Sequence, residues 1–292
     1  MPRAAFVLIS VSIRPQPIEI LIFRPRFLDK IVNTIDNFHH AIHSIPPPKS
    51  PPCSYAGFYP RIHDKNLDPS EAMSFYFSTY IERDLRQILQ VKDLGNFERF
   101  MRLLAGRNGQ ILNASSLADE CGISHGTARG WISVLQQSAL VYLLKPYYRN
   151  LGKRLVKSPK LYFLDTGLLC WLLNIFTPAH LDTHPLRGAI FEAYVVAEFL
   201  KSLYNRGKPD TLLYFRDQKG HEVDLLSETQ AETLLCEIKS SATFHPDFIA
   251  GMNYVETLLA QPVKKRLVMG SPDEPYWFKD THIFGYSNAS AM

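Results

Sequence analysis

Four ionisable side chains stand inside two short apolar runs of the C-terminal half. In "HEVDLL", Glu222 and Asp224 alternate with Val223 and Leu225, and "LLCEIKSS" holds "EIK" at 237–239. Successive side chains of a strand point to opposite faces. Glu222 and Asp224 are therefore predicted to share one face of their strand, and Val223 and Leu225 to share the other. In the next strand, Glu237 and Lys239 are predicted to share a face. If the strands pair through the "SETQAE" turn, three carboxylates and one lysine gather in one patch.

Such a patch needs a neutralising partner. Carboxylates about 4 Å apart repel by a few kcal/mol at an intermediate effective dielectric. A fold therefore keeps them together only when a cation or a proton neutralises them. Mg²⁺ is the natural candidate, because it takes carboxylate oxygens and retains waters for chemistry. Lys239 would then activate a water or stabilise charge on a phosphate. The alternative is an ordinary mixed sheet with a charged, solvated outer face.

The elements around the patch follow a recognisable order. Hydrophobic periodicity predicts a helix over 188–204, three strands, a helix over 245–259 and a strand over 265–269, which is αβββαβ. Together with the motif residues Asp224 and Glu237-Ile238-Lys239, this order resembles the restriction-endonuclease-like superfamily, whose motif is PD-(D/E)xK.

The resemblance assigns roles to four residues. It implies that Asp224 and Glu237 bind the metal, that Glu192 on the preceding helix completes the site, and that Lys239 assists cleavage of a phosphodiester. One departure is that Val223, not proline, precedes Asp224.

A helix-turn-helix is predicted upstream of the patch. The stretch "NASSLADECGISHGTARGWISVLQQ" holds a capped helix from Ser115, a turn at Gly122 and a second helix from about Ser124. Ile132 and Leu135 are predicted to face the core. The outward face of the second helix is predicted to carry His125, Thr127, Arg129 and Gly130.

The segment that follows is typical of a wing. "VYLLKPYYRNLGKRLVKSPKLYFL" predicts a strand, a polar excursion and a strand, with basic residues and no acidic one: Lys145, Arg149, Lys153, Arg154, Lys157 and Lys160. Such a strip suits phosphate contacts. We expect the nucleic-acid-binding residues to be His125, Thr127, Arg129, Lys153, Arg154 and Lys157. A protein-docking module or a merely solvated hairpin is the alternative.

Composition and charge limit the classes of protein to which this chain can belong. The 292 residues are 46% hydrophobic and 21% charged, with a formal net charge of +4, which is compatible with nucleic acid. No run reaches the ~18–20 apolar residues of a membrane span, so we expect a cytoplasmic protein. The predicted divisions are an N-terminal extension with a Pro-rich linker (1–54), a helical connector (55–95), a winged helix-turn-helix (96–165) and a nuclease-like domain (166–292).

Several stretches together resemble one known arrangement: "GFYPRI", "YIERDLRQ", "SSLADECGIS", "GKRLVKSPKLYFLDTGLL", "RGAIFEAYVVAEFLK", "FRDQKGHEVDLL" and "CEIKSS". They are similar to the C-terminal region of bacterial and archaeal AAA-type ATPases, catalogued as a domain of unknown function. The resemblance covers about residues 55–270. It implies an α/β (α+β) fold in which a winged helix-turn-helix precedes a restriction-endonuclease-like αβββαβ domain.

The ATPase half of that family is not recognisable in this sequence. No G-x-x-x-x-G-K-[ST] loop occurs, so a nucleotide phosphate would lack its backbone cradle and its lysine. The chain resembles a truncated member, or one whose reading frame begins late, and ATPase activity is not expected.

Three hypotheses stay open. The first is a DNA-interacting protein with a Mg²⁺-dependent endonuclease site. The second is a non-catalytic module that binds DNA or docks on a partner ATPase. The third is a fragment with no independent role.

Overall fold

The computed structural model describes residues 55–79, 94–147, 155–270 and 274–286. The predicted N-terminal extension and the residues Lys153 and Arg154 lie outside these ranges. Nine α-helices are described: α1 Pro60–Asp64, α2 Pro69–Tyr76, α3 Leu94–Ala105, α4 Ala114–Cys121, α5 His125–Gln137, α6 Thr166–Leu172, α7 Pro178–Thr183, α8 Arg187–Asn205 and α9 Ala250–Glu256. A 3₁₀ turn, Pro246–Ile249, leads into α9. Among the described helices, none is both long and apolar enough to cross a membrane.

Eight strands form one mixed sheet. They are β1 Val141–Pro146, β2 Lys160–Phe163, β3 Leu212–Arg216, β4 Glu222–Glu228, β5 Thr233–Lys239, β6 Val263–Met269, β7 Tyr276–Phe278 and β8 Thr281–Gly285. Their order across the sheet is β2-β1-β3-β4-β5-β6-β8-β7. From α8 to β6 the predicted αβββαβ order is confirmed, and β7 and β8 extend the sheet beyond it.

Local signals define the helix-turn-helix segment. The Asn113 side chain accepts a hydrogen bond from the Ser116 N–H and caps α4, and Ser124 caps α5 in the same way. Gly122 ends α4 with φ +68°, a left-handed conformation that glycine adopts without a Cβ penalty. Ile132 is buried, as predicted, and anchors α5 on the core.

The hairpin predicted as a wing is part of the large sheet. β1 pairs with β2 antiparallel and with β3 in parallel, through Lys145 opposite Leu213 and Pro146 opposite Tyr214. The predicted boundary between residues 165 and 166 therefore falls inside one continuous sheet. The side chains of β2 consequently face elements that follow that boundary.

An irregularity interrupts β4 where the carboxylates begin. Leu213 of β3 faces Leu226, but Phe215 faces Val223, so Asp224 and Leu225 together stand opposite a single residue of β3. Val223 packs in one hydrophobic core cluster and Leu225 in the other. The prediction that Val223 and Leu225 share a face is therefore wrong. A bulge of this kind redirects a side chain and is frequent beside functional sites.

Candidate functional site

Three of the predicted residues converge at the end of strands β4 and β5. The Lys239 ammonium lies 2.8 Å from Glu237 Oε2 and 3.4 Å from Asp224 Oδ2. Asp224 Oδ2 also accepts a hydrogen bond of 2.9 Å from the Ile238 N–H. This bond joins the bulged end of β4 to β5, beyond their last paired residues. Both carboxylates are buried, whereas a third of the Lys239 side chain is exposed.

Helix α8 brings Glu192 to the same cluster. Glu192 Oε1 accepts hydrogen bonds from Lys160 Nζ at 3.1 Å and from the Tyr162 hydroxyl at 2.5 Å. Both donors lie on β2. Glu192 of α8 is thereby tied to strand β2 at one edge of the sheet.

Lys160 is a central residue that the sequence reasoning placed elsewhere. Its ammonium contacts Glu192, forms an ion pair with Glu222, and lies 3.7 Å from Asp224 Oδ1. It was counted in the basic strip for phosphate contacts, but it is 3% exposed. The sequence did contain a signal, because Lys160 opens the otherwise apolar run "KLYF". In the structure all four residues of this strand are buried. A second cation, Arg216, lies 3.0 Å from Glu222.

The carboxyl groups of the cluster differ in the direction of their pKa shifts. Burial, and then the charge of Asp224, raise the pKa of Glu192 and that of Glu237. Burial acts in the same direction on Asp224, but Lys239 and Lys160 outweigh it and lower the pKa of that carboxyl. Burial disfavours the charge on Lys160, yet the carboxylates around it raise its pKa. Among Glu192, Asp224 and Glu237, Asp224 is therefore the carboxyl whose ionised form is favoured.

The donor set suits Mg²⁺ in its chemistry but not in its arrangement. Carboxylate oxygens are the ligands that Mg²⁺ takes. Lys160, however, already lies among Glu192, Glu222 and Asp224. Across the part of the chain that the structure describes, no group of three or more His, Cys, Asp or Glu side chains is placed to hold a metal ion. The residues therefore do not fit a divalent ion while Lys160 lies there, and Mg²⁺ stays a prediction.

The predicted nucleic-acid contacts are partly accessible. His125 and Arg129 of α5 are exposed, and so is Lys157 before β2. Thr127 is half-buried, and its hydroxyl pairs with that of Ser124 at 2.8 Å. Thr127 thus supports the cap of α5, and the His125 ring lies 3.2 Å from Asp119 Oδ1, which leaves Arg129 as the exposed cation of the 125–129 stretch.

Two family models match this chain, one on each side of residue 180. Residues 53–179 match a domain of unknown function, DUF8612. Residues 187–288 match another domain of unknown function, DUF4143. Lys160 and Tyr162 belong to the first matched segment, and Glu192, Glu222 and Asp224 to the second. The carboxylate cluster thus joins the two.

Two curated mycobacterial proteins are similar to part of this chain. They are described as uncharacterized protein Mb2031c of Mycobacterium bovis and uncharacterized protein Rv2008c of Mycobacterium tuberculosis. Each is 33% identical over 178 residues, which is 61% of this chain and 40% of the relative. The chain thus spans well under half the length of the relatives that it matches.

Proposed function

We propose that this chain is a DNA-binding module, related to the C-terminal region of AAA-type ATPases, in which a winged helix-turn-helix is fused to a PD-(D/E)xK-like fold. The order of elements supports the first part. Helix α3 is followed by a β-bridge from Ile111 to Lys160, then by α4, α5, β1 and β2. A winged helix has this succession, with the third helix available for the major groove.

The observation that carries the proposal is the outward face of α5. His125 and Arg129 are exposed there, and Gly126 and Gly130 stand beside them one turn apart. An added Cβ would meet nothing within 4 Å at Gly130. Glycine inside a helix costs about 1 kcal/mol relative to alanine, and internal packing does not require it at this position. A surface without side chains beside the exposed Arg129 suits the close approach of a nucleic-acid backbone.

Salt-dependent binding tests this function. Fluorescence anisotropy of a labelled duplex should give an affinity that falls steeply as salt rises, because phosphate contacts release counterions. Arg129→Ala should weaken binding, and Lys157→Ala should reduce the slope of log K against log salt by about 1. Arg206→Ala, an exposed arginine after α8, is the matched control and should bind as the parent does. Equal binding by the Arg129 and Arg206 variants would contradict the assignment of α5.

A second candidate function is phosphodiester cleavage. The convergence of Asp224, Glu237 and Lys239 favours it. The resemblance to the PD-(D/E)xK superfamily implies metal binding by Asp224 and Glu237 and assistance of cleavage by Lys239. It also implies that Glu192 completes the site. In that role Lys239, the more exposed lysine, would face the phosphate or the attacking water. Asp224 would remain ionised between the two lysines.

Nicking of a supercoiled plasmid tests this second function. Purified protein is incubated with Mg²⁺ or Mn²⁺ and, in parallel, with EDTA. Nicking that requires the metal and is lost in Lys239→Ala and Asp224→Ala would support a nuclease site. Nicking that persists in Asp224→Ala comes from elsewhere. DNA binding without nicking would leave the non-catalytic module, which a partner ATPase would be expected to use.

A further inference from the structure

Lys160 occupies the interior of the carboxylate cluster. Its Nζ donates to Glu192 Oε1 at 3.1 Å, pairs with Glu222 and lies 3.7 Å from Asp224 Oδ1. An ammonium group has three donors and no acceptor. Three carboxylates, from α8 and β4, thus stand around three donors. Carboxylate oxygens are also the ligands that a divalent ion takes, and here they surround the ammonium instead.

The backbone of Lys160 holds it there. Lys160 pairs with Leu144 of β1 on one side and bridges to Ile111 on the other. The next residue, Leu161, donates to the Gln110 carbonyl at 3.0 Å and accepts from the Gly109 N–H at 2.7 Å. Because both edges of the strand are engaged, the side chain cannot leave the cluster through a small shift of the main chain.

The two lysines of the cluster differ in access. The Lys160 side chain is 4% exposed, and that of Lys239 is 33% exposed. Lys239 therefore lies at the mouth of the site, next to Glu237. Lys160 lies inside it, next to Glu192.

We propose that Lys160 is the resident cation of this cluster and that it excludes divalent metal from the position between Glu192, Glu222 and Asp224. A divalent ion and the ammonium cannot share these ligands, because the space is the same and their charges repel. Lys160 is then the residue that decides whether the cluster holds a metal. This inference concerns only the cluster and does not depend on DNA binding by α5. It is an alternative to the second candidate function, because metal-dependent cleavage that needs Asp224 would require the metal that Lys160 excludes.

Calorimetric titration with Mn²⁺ tests the proposal on the full chain. The parent protein should show no tight saturable site at the cluster. Lys160→Met should bind Mn²⁺ at least about tenfold more tightly, because the positive charge that occupies the position between the carboxylates has been removed. The gain should vanish in Lys160→Met/Asp224→Asn. Lys264→Met, an exposed lysine of β6, should behave as the parent.

A charge-balanced variant covers the case in which Lys160→Met does not fold. Lys160→Met/Glu222→Gln removes one positive and one negative charge and retains Glu192, Asp224 and Glu237. Circular dichroism establishes that it is folded, and the same titration should show the gained Mn²⁺ site. Mn²⁺ should also raise its melting temperature, since the metal binds the folded state.

Two results would overturn the proposal. One is a folded variant that binds Mn²⁺ no more tightly than the parent. The other is a parent protein that already binds Mn²⁺ as tightly as the variant, at a site that Asp224→Asn abolishes. Failure here is distinguishable from failure of the DNA-binding proposal, because the readout is metal binding and not DNA affinity.

Discussion

Replacing Lys160 by methionine should cost a large part of the stability of this protein. The substitution keeps most of the volume but leaves Glu192, Glu222 and Asp224 without their buried cation. Removing one partner of a buried ion pair costs about 3–5 kcal/mol, because the remaining charge is uncompensated. Exposed pairs, such as Lys264 with Glu232, contribute about 0–1 kcal/mol. Lys264→Met should therefore cost much less than Lys160→Met.

The loss should depend on pH in a definite direction. Burial and Asp224 already raise the pKa of Glu192. Lys160 lowers that pKa, so removing Lys160 raises the pKa of the Glu192 carboxyl further. Between the ordinary glutamate pKa of about 4.3 and the raised folded value, the folded state then binds more protons than the unfolded state. Its stability falls as pH rises through that window. The Lys160→Met variant should consequently lose most at pH 8 and less at pH 5.

Urea unfolding followed by circular dichroism at pH 5 and pH 8 measures both effects. The free energies of unfolding of the parent, Lys160→Met and Lys264→Met are compared at each pH. A loss below about 1 kcal/mol for Lys160→Met, in the range of an exposed pair, would refute the reasoning. So would a larger loss that is equal at the two pH values. The small loss would mean that water, and not Lys160, solvates the carboxylates. The large but equal loss would mean that protonation of the carboxyls does not compensate for the missing lysine.

Three further predictions concern other parts of the described fold. Gly130→Ala should raise the free energy of unfolding by roughly 0.5–1 kcal/mol, since the helix position is exposed and an added Cβ meets nothing; a lower urea midpoint would contradict this. Gly251→Ala should lower it by about 1–3 kcal/mol, because its Cβ would come 2.0 Å from the Glu222 carbonyl oxygen; an unchanged midpoint would contradict it. Burial raises the pKa of Asp217, but hydrogen bonds from His221 and other donors outweigh it and lower that pKa. Stability from Asp217 is therefore present above the ordinary aspartate pKa of about 3.9 and lost as pH falls through the folded pKa. Asp217→Asn should show a shallower loss in acid than the parent, and parallel acid profiles would count against this role.

The sequence predicted the elements that have strong local periodicity. The helix expected over 188–204 is Arg187–Asn205, and the expected strand pairing of β4 with β5 is confirmed. The strands β7 and β8 showed no comparable periodicity in the sequence. β7 has only three residues. The junction of β1 with β3 was not predictable either. It joins residues about 70 positions apart through two registered pairs.

The proximity of the candidate residues could be predicted where alternation along one strand was enough. Glu237 and Lys239 of β5 lie together as expected, and Asp224 joins them, although β4 is bulged at that point. Lys160 was assigned to phosphate contacts because a count of charges does not reveal burial. Its role follows from long-range geometry, since β2 must lie beside α8 before the lysine can meet Glu192.

The cluster also bears on how the two matched segments depend on each other. Lys160 belongs to the segment 53–179 and its partners Glu192, Glu222 and Asp224 to the segment 187–288. A buried ammonium without carboxylates, or these carboxylates without the ammonium, carries an uncompensated charge that costs several kcal/mol. Each segment thus supplies the charge that the other needs to bury its part of the interface. The two matched segments are therefore best regarded as one folding unit, with Lys160 as the residue that joins them.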